Sequence, residues 1–359
     1  MIIQRLQLRN FRNYEKVSVD LDPHMNLITG KNAQGKTNLL ESIVYLSLTR
    51  SHRISNDRKL IRNGEEFADI SCRFEDSGIE KEIEAVIHQK GKTLMVHRQP
   101  VRKSSEFIGL LNVVMFSPDD LRLFHDQPKD RRRIMNQEIT KISPVYLVSL
   151  SRYQALLKER NILLKSDSVN MRILDTLDEQ MVTEEKVIID YRRKFVDSIQ
   201  KDIGTLYRRI SSDQSEISVK YVCCTDDIEN DGPLKEMYLM CRQRDMQYRT
   251  STAGIHREDI RFEINGTPVE ETASQGQKRM IVLAFKLALM NYIVRETSKC
   301  PVLLLDDVLS ELDYEKQKRL LDMMSDTYQC LITSTEIPSF LKNQKMKEFQ
   351  IINGTINPL

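Results

Sequence analysis

The eight residues Gly30-Lys31-Asn32-Ala33-Gln34-Gly35-Lys36-Thr37 constrain this chain more than any other feature in it. They match G-x-x-x-x-G-K-[ST] at every fixed position. The apolar run Asn26-Leu27-Ile28-Thr29 precedes them. Leu39, Leu40, Ile43, Val44 and Leu46 follow at helical spacing, so the motif falls in a strand–loop–helix unit. The glycines let the backbone curl until successive N–H groups point inward at phosphate oxygens. The helix that starts near Lys36 adds the positive end of its dipole. In this arrangement Lys36 reaches the β- and γ-phosphates and the Thr37 hydroxyl ligates Mg²⁺. Gly30 through Thr37 are therefore the predicted ATP-binding residues.

A phosphate loop of this kind needs a second carboxylate strand to hold the metal. Val302-Leu303-Leu304-Leu305 is a buried-strand pattern that delivers Asp306-Asp307 at its C-terminal end. Asp306 is predicted to hold Mg²⁺ through water and Asp307 to polarise the attacking water. Lys36, Asp306 and Asp307, with Ser274 of a later motif, form the predicted catalytic set, and Thr37 and Asp306 are the metal residues.

Between these two motifs the chain changes character. Residues 3–21 alternate as strands, and strand-like runs recur at 68–74, 83–87 and 113–116, with Gly91-Lys92 read as a hairpin turn. From Asp130 to Ile210 there is one Pro and one Gly. Apolar residues there fall at steps of three, four and seven, with Ser166-Asp167-Ser168 as a break, which predicts amphipathic helices. Asn265-Gly266 is a strong hairpin signal. The expected organisation is α/β. An ATPase head made of residues 1–116 and 296–359 is interrupted by a mostly helical arm or lid at 117–295.

Composition removes several alternatives. Hydrophobic residues make up 40% and charged residues 30% of the 359, enough for a core with a solvated surface. No apolar run approaches the ~20 residues of a membrane helix. The N-terminus lacks a signal-peptide pattern, so a cytoplasmic location without membrane association is expected. The six cysteines form no C-x-x-C pair and no His-x-x-x-His follows, so disulfide and zinc readings both fall away and small apolar fillers in a reducing compartment are expected. Net charge is only +2, so any nucleic-acid surface must be a local basic patch.

Ser274-Gln275-Gly276-Gln277-Lys278-Arg279 opens a helix with an apolar face and resembles the ABC signature motif. Ser310-Glu311-Leu312-Asp313, directly after the double Asp, resembles the D-loop. In the ABC arrangement Ser274 and the amides near Gly276 and Gln277 complete the ATP site of a second subunit. The wider sequence is similar to the RecF family. The matching blocks are Leu8-Arg9-Asn10-Phe11-Arg12-Asn13-Tyr14, the phosphate loop extended through Asn38-Leu39-Leu40-Glu41, and Arg50-Ser51-His52-Arg53. They continue with Phe116-Ser117-Pro118-Asp119-Asp120-Leu121, Ser151-Arg152-Tyr153-Gln154, Lys158-Glu159-Arg160-Asn161 and Leu305 to Asp313. They span almost the whole chain.

The departures are specific. Ile255 stands where RecF relatives usually carry Pro, and Asp307 where an ordinary ABC ATPase has Glu. Ser117 to Asp120 occupies the Q-loop place. Thr333-Ser334-Thr335-Glu336 takes the place of a switch His, which makes Thr333 a hydroxyl sensor of the γ-phosphate.

The resemblance implies an ABC-type P-loop ATPase head using ATP and Mg²⁺, in which ATP drives homodimerisation and Arg12 can reach the nucleotide. It further implies a slow, DNA-stimulated ATPase switch in recombinational repair and replication restart. Such a switch binds double-stranded DNA and single/double-strand junctions, works with RecR and RecO to load RecA at gaps, and is linked to the SOS response. Three rivals have less support. A transporter ATPase subunit would not carry the helical arm. An SMC-type chromosome-maintenance head would need far more coiled coil. A scaffold with a dead site would not keep every catalytic position filled.

Between Lys129 and Lys165 nine basic residues face three acidic ones. Phosphate contacts need such clusters. The DNA candidates are therefore Arg131, Arg132, Arg133, Arg152, Lys158 and Arg160, with His52 and Arg53 after the first helix as a second group.

Overall fold

The structure is a computed structural model that describes the chain apart from residues 125–126, 226, 228–229, 325–326, 338–340 and 342–344. Two compact units are present. The first comprises Met1–Leu121, Thr205–Asp213 and Arg279–Leu359, and the second Arg122–Gly204 and Gln214–Lys278.

In the first unit two six-stranded sheets enclose one helix. The antiparallel sheet runs β2 (Tyr14–Asp20), β1 (Ile2–Phe11), β4 (Phe67–Asp76), β5 (Ile79–His88), β6 (Gly91–Val96), β7 (Gln99–Pro100). The second sheet runs β15 (Thr355–Pro358), β14 (Lys347–Ile352), β3 (Met25–Thr29), β13 (Cys330–Ser334), β12 (Val302–Asp306), β8 (Val113–Phe116). It is parallel except for its β15 edge. Every residue of β3, β12 and β13 is buried, as expected where apolar runs lie inside a parallel sheet.

The helix α1 (Lys36–Leu48) is buried over eleven of its thirteen residues, including Leu39, Leu40, Ile43, Val44 and Leu46. It therefore packs on most of its circumference rather than on one face. Its core neighbours come from both sheets, among them Leu6, Ile70, Ile87, Val113, Leu304 and Leu331. This burial fixes the start of α1 beside the C-terminal ends of β3 and β12.

The second unit is mostly helical. It holds α2 (Pro128–Ile142), α3 (Pro144–Leu164), α5 (Gly232–Tyr248), the short α6 (Val269–Thr272) and the first 34 residues of α4 (Met171–Ser211). A three-stranded sheet, β11 (Thr267–Pro268), β10 (Asp259–Ile264), β9 (Ile217–Val222), completes it. Asn265 and Gly266, both at positive φ, turn β10 into β11 as the sequence predicts.

Two expectations shift. The turn before β6 is Gln89-Lys90, because His88 pairs with Gly91, which already belongs to the strand. The arm differs from the expected 117–295, because residues 117–121, 205–213 and 279–295 cluster with the first unit. The helix α7 (Gln275–Thr297) explains the last segment. From Met280 to Met290 it is buried almost throughout, and its Lys286 ammonium donates to Met115 O at 2.7 Å and pairs with Asp120 at 2.8 Å.

Candidate nucleotide site

The phosphate loop is shaped from within and braced from outside. Gly35 is the N-cap of α1 at φ 117°. A Cβ there would lie 2.5 Å from the Asn13 amide nitrogen and 2.9 Å from the Tyr14 hydroxyl, so only glycine fits. Ala33 also sits in the left-handed region, at φ 64°, which helps turn successive N–H groups to one side. The turn between β1 and β2 supplies the outer brace. Asn13 Nδ2 donates to Gln34 O at 2.8 Å, the Tyr14 hydroxyl donates to Gly35 O at 2.8 Å, and Asn38 Nδ2 donates to Asn13 Oδ1 at 2.8 Å. Asn353 N–H donates to Gln34 Oε1 at 2.6 Å. These bracing residues were not among the predicted site residues. The only sequence signal for Asn13, Tyr14 and Asn38 was their place inside the matched blocks.

The Lys36 ammonium curls over the loop, donating to Gly30 O at 2.8 Å and Lys31 O at 3.4 Å, with Asp307 Oδ2 at 3.7 Å. The parallel register of β12 and β13 sets Asp306 beside Thr333. Asp306 Oδ1 accepts from the Thr37 hydroxyl at 3.0 Å and from the Thr333 hydroxyl at 2.8 Å. Burial raises the Asp306 carboxyl above its ordinary pKa, and the two hydroxyl donors oppose that shift. Thr333 Oγ1 in turn accepts from Asp307 N–H at 3.0 Å. Asp307 adopts φ 51°, which swings its carboxylate out of the strand line and over the loop lysine. Thr37, Asp306, Asp307, Lys36 and Thr333 thus converge, and the hard oxygen pair of Thr37 and Asp306 suits Mg²⁺.

Arg12, expected to reach the nucleotide, is held by residues of its own unit. Its guanidinium grips the fully buried Glu41 carboxylate of α1 through two bonds of 2.9 Å and donates to Lys59 O at 3.2 Å. This pair ties the β1–β2 turn to α1. Glu41 also accepts from the Ser51 hydroxyl, and Arg53 lies 3.9 Å from it. Arg53 donates to Asn38 Oδ1 at 3.3 Å, and its charge is felt at Asp306. Burial drives the His52 pKa down to about 4, with the nearby Glu41 charge opposing the shift. Geometry therefore places Arg53 beside the first turns of α1, next to the nucleotide loop.

At the start of α7, Ser274 and Gln277 form a reciprocal capping box. Gln277 N–H donates to Ser274 Oγ at 3.2 Å, and Ser274 N–H donates to Gln277 Oε1 at 3.0 Å. The box holds the Ser274 hydroxyl and the Gly276 amide at the tip of the helix. Further along, Arg279 pairs with Glu311 of the D-loop-like segment at 2.9 Å and donates to the Glu311 carbonyl at 2.9 Å.

The chain has relatives along almost its whole length. The family described as RecF/RecN/SMC N terminal domain matches residues 2–356. The chain is 38% identical over 362 residues to a DNA replication and repair protein RecF from Agathobacter rectalis, covering 99% of each. It is 37% identical over 370 residues to the protein of that name from Bacillus thuringiensis, covering 99% of this chain and 98% of the relative. The chain belongs to the RecF family. A solved RecF–ATP structure from the RecFOR pathway superposes with a TM-score of 0.93 at 30% identity, covering 100% of this chain and 97% of the other. An Smc head bound to the C-winged helix domain of ScpA shares the fold alone, with a TM-score of 0.60 at 15% identity. The RecF assignment and the ABC-type ATPase fold both agree with the sequence analysis. Among the described residues no helix is long and apolar enough to cross a membrane.

In this RecF-family chain the basic run divides sharply. Arg160 is fully buried, with Asp178 at 2.7 Å and Asp245 at 2.6 Å. Arg131 is buried in a two-bond pair with Asp259 and lies 3.3 Å from Glu270. Arg132 donates to Glu258 O. Arg160 and Arg131 therefore leave the DNA set, because a buried charge paired with buried carboxylates presents nothing to a phosphate. Arg133, Arg152 and Lys158 are exposed.

Proposed function

We propose that this protein is an ATP-switched DNA clamp of recombinational repair. Two copies sandwich two ATP molecules, each held by one chain's phosphate loop and the other chain's signature helix. DNA binds the closed dimer, and slow hydrolysis releases it. The carrying observation is the convergence of Thr37, Asp306, Thr333 and Asp307 above Lys36, which provides hard oxygen ligands and a poised carboxylate where a γ-phosphate would sit. Mg²⁺, when bound, neutralises the phosphate charge; Thr37 and Asp306 would hold it. Lys36 leaves its carbonyl partners for the β- and γ-phosphates. Asp307 orients the attacking water, and its one-methylene shortening relative to Glu favours residence over speed.

Gly276 supports a shared site. A Cβ at this position would meet only Ser274 Oγ at 3.9 Å among the described residues, so the chain's own packing does not demand glycine there. A bare helix tip that the fold does not require suits close approach by a phosphate from a second copy. The coarser role, in DNA replication and repair, rests on the RecF relatives. Junction binding, cooperation with RecO and RecR, RecA loading and the SOS link are the finer parts of the proposal. Exposed Arg133, Arg152 and Lys158 are the proposed DNA contacts.

The deciding experiment is molar mass in solution without nucleotide, with ADP and with ATP, for the native chain, Asp307→Asn and Ser274→Arg. A dimer only in ATP, accumulated by Asp307→Asn and abolished by Ser274→Arg, is the expected outcome. A mass independent of nucleotide in all three proteins would remove the shared site.

A further inference from the structure

The expectation that the cysteines are buried apolar fillers holds for Cys72 and Cys330 but not for the other four. Two of those four are adjacent. β9 ends at Val222, whose partner Asp259 forms the last rung of the β9–β10 ladder. Within a strand, Cys223 and Cys224 would point to opposite faces. Beyond the last rung that alternation lapses, and both thiols turn toward one carboxylate oxygen. Cys223 Sγ donates to Glu258 Oε1 at 3.1 Å, Cys224 Sγ at 3.2 Å, and Cys224 N–H at 3.3 Å. The two sulfurs and a Glu258 oxygen all lie within 4.8 Å of one another.

The other carboxylate oxygen is already held. Glu258 Oε2 accepts from Arg192 Nη1 at 3.0 Å and from the Tyr221 hydroxyl. Arg192 is itself pinned by the Tyr146 hydroxyl at 3.2 Å, Asn136 Oδ1 at 3.0 Å and Ile255 O at 2.9 Å. The glutamate is thus oriented from behind by a buried shell, with Oε1 facing the sulfurs. Metal-binding carboxylates need this outer support.

We infer that Cys223, Cys224 and Glu258 form a binding site for a thiophilic divalent cation, Zn²⁺, separate from the Mg²⁺ residues of the phosphate loop. Bond lengths of about 2.3 Å to sulfur and about 2.0 Å to oxygen place tetrahedral ligand atoms roughly 3.5–3.8 Å apart. The observed sulfur–oxygen spacings need to open by only a few tenths of an ångström. Binding replaces the two thiol protons, which pass to solvent, while no electron is transferred. Two thiolates and one carboxylate then balance Zn²⁺ and the Arg192 cation. Thiolates favour this metal over Mg²⁺, whose preferred ligands are oxygens. Cys224 is exposed, so the fourth position opens to water. The site fastens the segment after β9 to the residue before β10, and through Arg192 to α4.

The test uses the full chain, reduced and stripped with chelator, in excess Mg²⁺ and without ATP, so that it does not depend on the nucleotide proposal. Competition against a chromophoric chelator should give one Zn²⁺ per chain with release of about two protons. Cd²⁺ should produce a sulfur-to-metal absorption band. Cys223→Ser/Cys224→Ser should lose the band and weaken Zn²⁺ binding at least ~100-fold, while Cys241→Ser/Cys300→Ser keeps both. Tyr221→Phe, which removes outer support, should weaken binding about 10-fold. Should the double variant fail to fold by circular dichroism, Cys224→Ser alone, at an exposed position, carries the same comparison. Absence of the cadmium band in the native protein, or Zn²⁺ binding unchanged by loss of either Cys223–Cys224 thiol, would overturn the assignment.

Discussion

The Thr37 hydroxyl donates to Asp306 Oδ1 at 3.0 Å across 269 residues of sequence. This bond joins the first turn of α1 to the end of β12 and positions both oxygens that would hold Mg²⁺. Asp306→Asn keeps the shape but removes the charge and one acceptor. ATP hydrolysis should fall on the order of 100-fold, the loss of about 2.7 kcal/mol of metal-borne stabilisation. ATP binding in the absence of Mg²⁺ should change little. Phosphate-release assays alongside nucleotide binding with and without Mg²⁺ check both halves; hydrolysis within twofold of native would refute the role.

Gly276 separates a structural glycine from one that serves a second molecule. It lies in the first turn of α7, where a Cβ would make only an ordinary contact with Ser274 Oγ at 3.9 Å. Gly276→Ala should leave the monomer as stable as native or up to ~1 kcal/mol more stable, because alanine restricts the unfolded chain. Gly276→Asp should also fold, and its charge should abolish ATP-dependent dimerisation. Denaturant unfolding and light scattering in ATP read the two effects independently.

The phosphate loop and the double aspartate were legible because their chemistry is written in contiguous residues with fixed spacing. The braces Asn13 and Tyr14 were not, since their role depends on a turn that reaches the loop only in the folded unit. The Arg12–Glu41 pair was hidden for the same reason: the partners are 29 residues apart, and no local pattern says that the carboxylate is buried. The basic run misled more directly. Arg131 and Arg160 look alike with Arg133 and Lys158 as charges on helices, but α2 and α3 turn the first two inward, where Asp259, Asp178 and Asp245 await them. Burial of a charge is decided by partners distant in sequence, and a count of charges cannot see it.

That division predicts opposite phenotypes within one basic segment. Arg160→Ala leaves the buried Asp245 without its cationic partner, while Asp178 keeps Arg242 at 2.9 Å, and should cost about 3 kcal/mol of folding stability. Arg133→Ala, Arg152→Ala and Lys158→Ala should each change stability by less than ~0.5 kcal/mol. In combination they should weaken DNA binding and flatten its salt dependence by about one unit of slope for each phosphate that is no longer neutralised. Unfolding curves and DNA titrations at several salt concentrations would expose the error if Arg160→Ala proved stable or the triple variant bound DNA as the native protein does.

Glu185 gives the second unit a pH dependence. It accepts from the Tyr238 hydroxyl at 2.8 Å and Ile255 N–H at 3.1 Å, while its other oxygen is buried without a hydrogen-bond partner among the described residues. Gly254 makes room for it, since a Cβ there would lie 2.7 Å from Glu185 Oε1. Burial raises the Glu185 pKa from 4.5 to about 7, against the donors and reinforced by the Glu258 charge. A raised carboxyl pKa means that the folded state holds its proton more tightly. The contribution is whole below pH 4.5 and is lost as pH rises through 7, a change of about 3 kcal/mol at most. His256, bonded to the Tyr153 hydroxyl at 2.8 Å, acts in the opposite sense. Burial lowers its pKa from 6.5 to about 4, so its stability is present above pH 6.5 and lost as pH falls through 4. The two slopes oppose each other between pH 4.5 and 6.5 in the native protein. Glu185→Gln removes one of them, so the variant should gain stability relative to native as pH rises from 5 to 8, leaving the His256 slope exposed at the acid end. Denaturant unfolding of both proteins at pH 5, 6.5 and 8 measures this directly, and a difference between them that stays constant with pH would mean that Glu185 is ionised throughout.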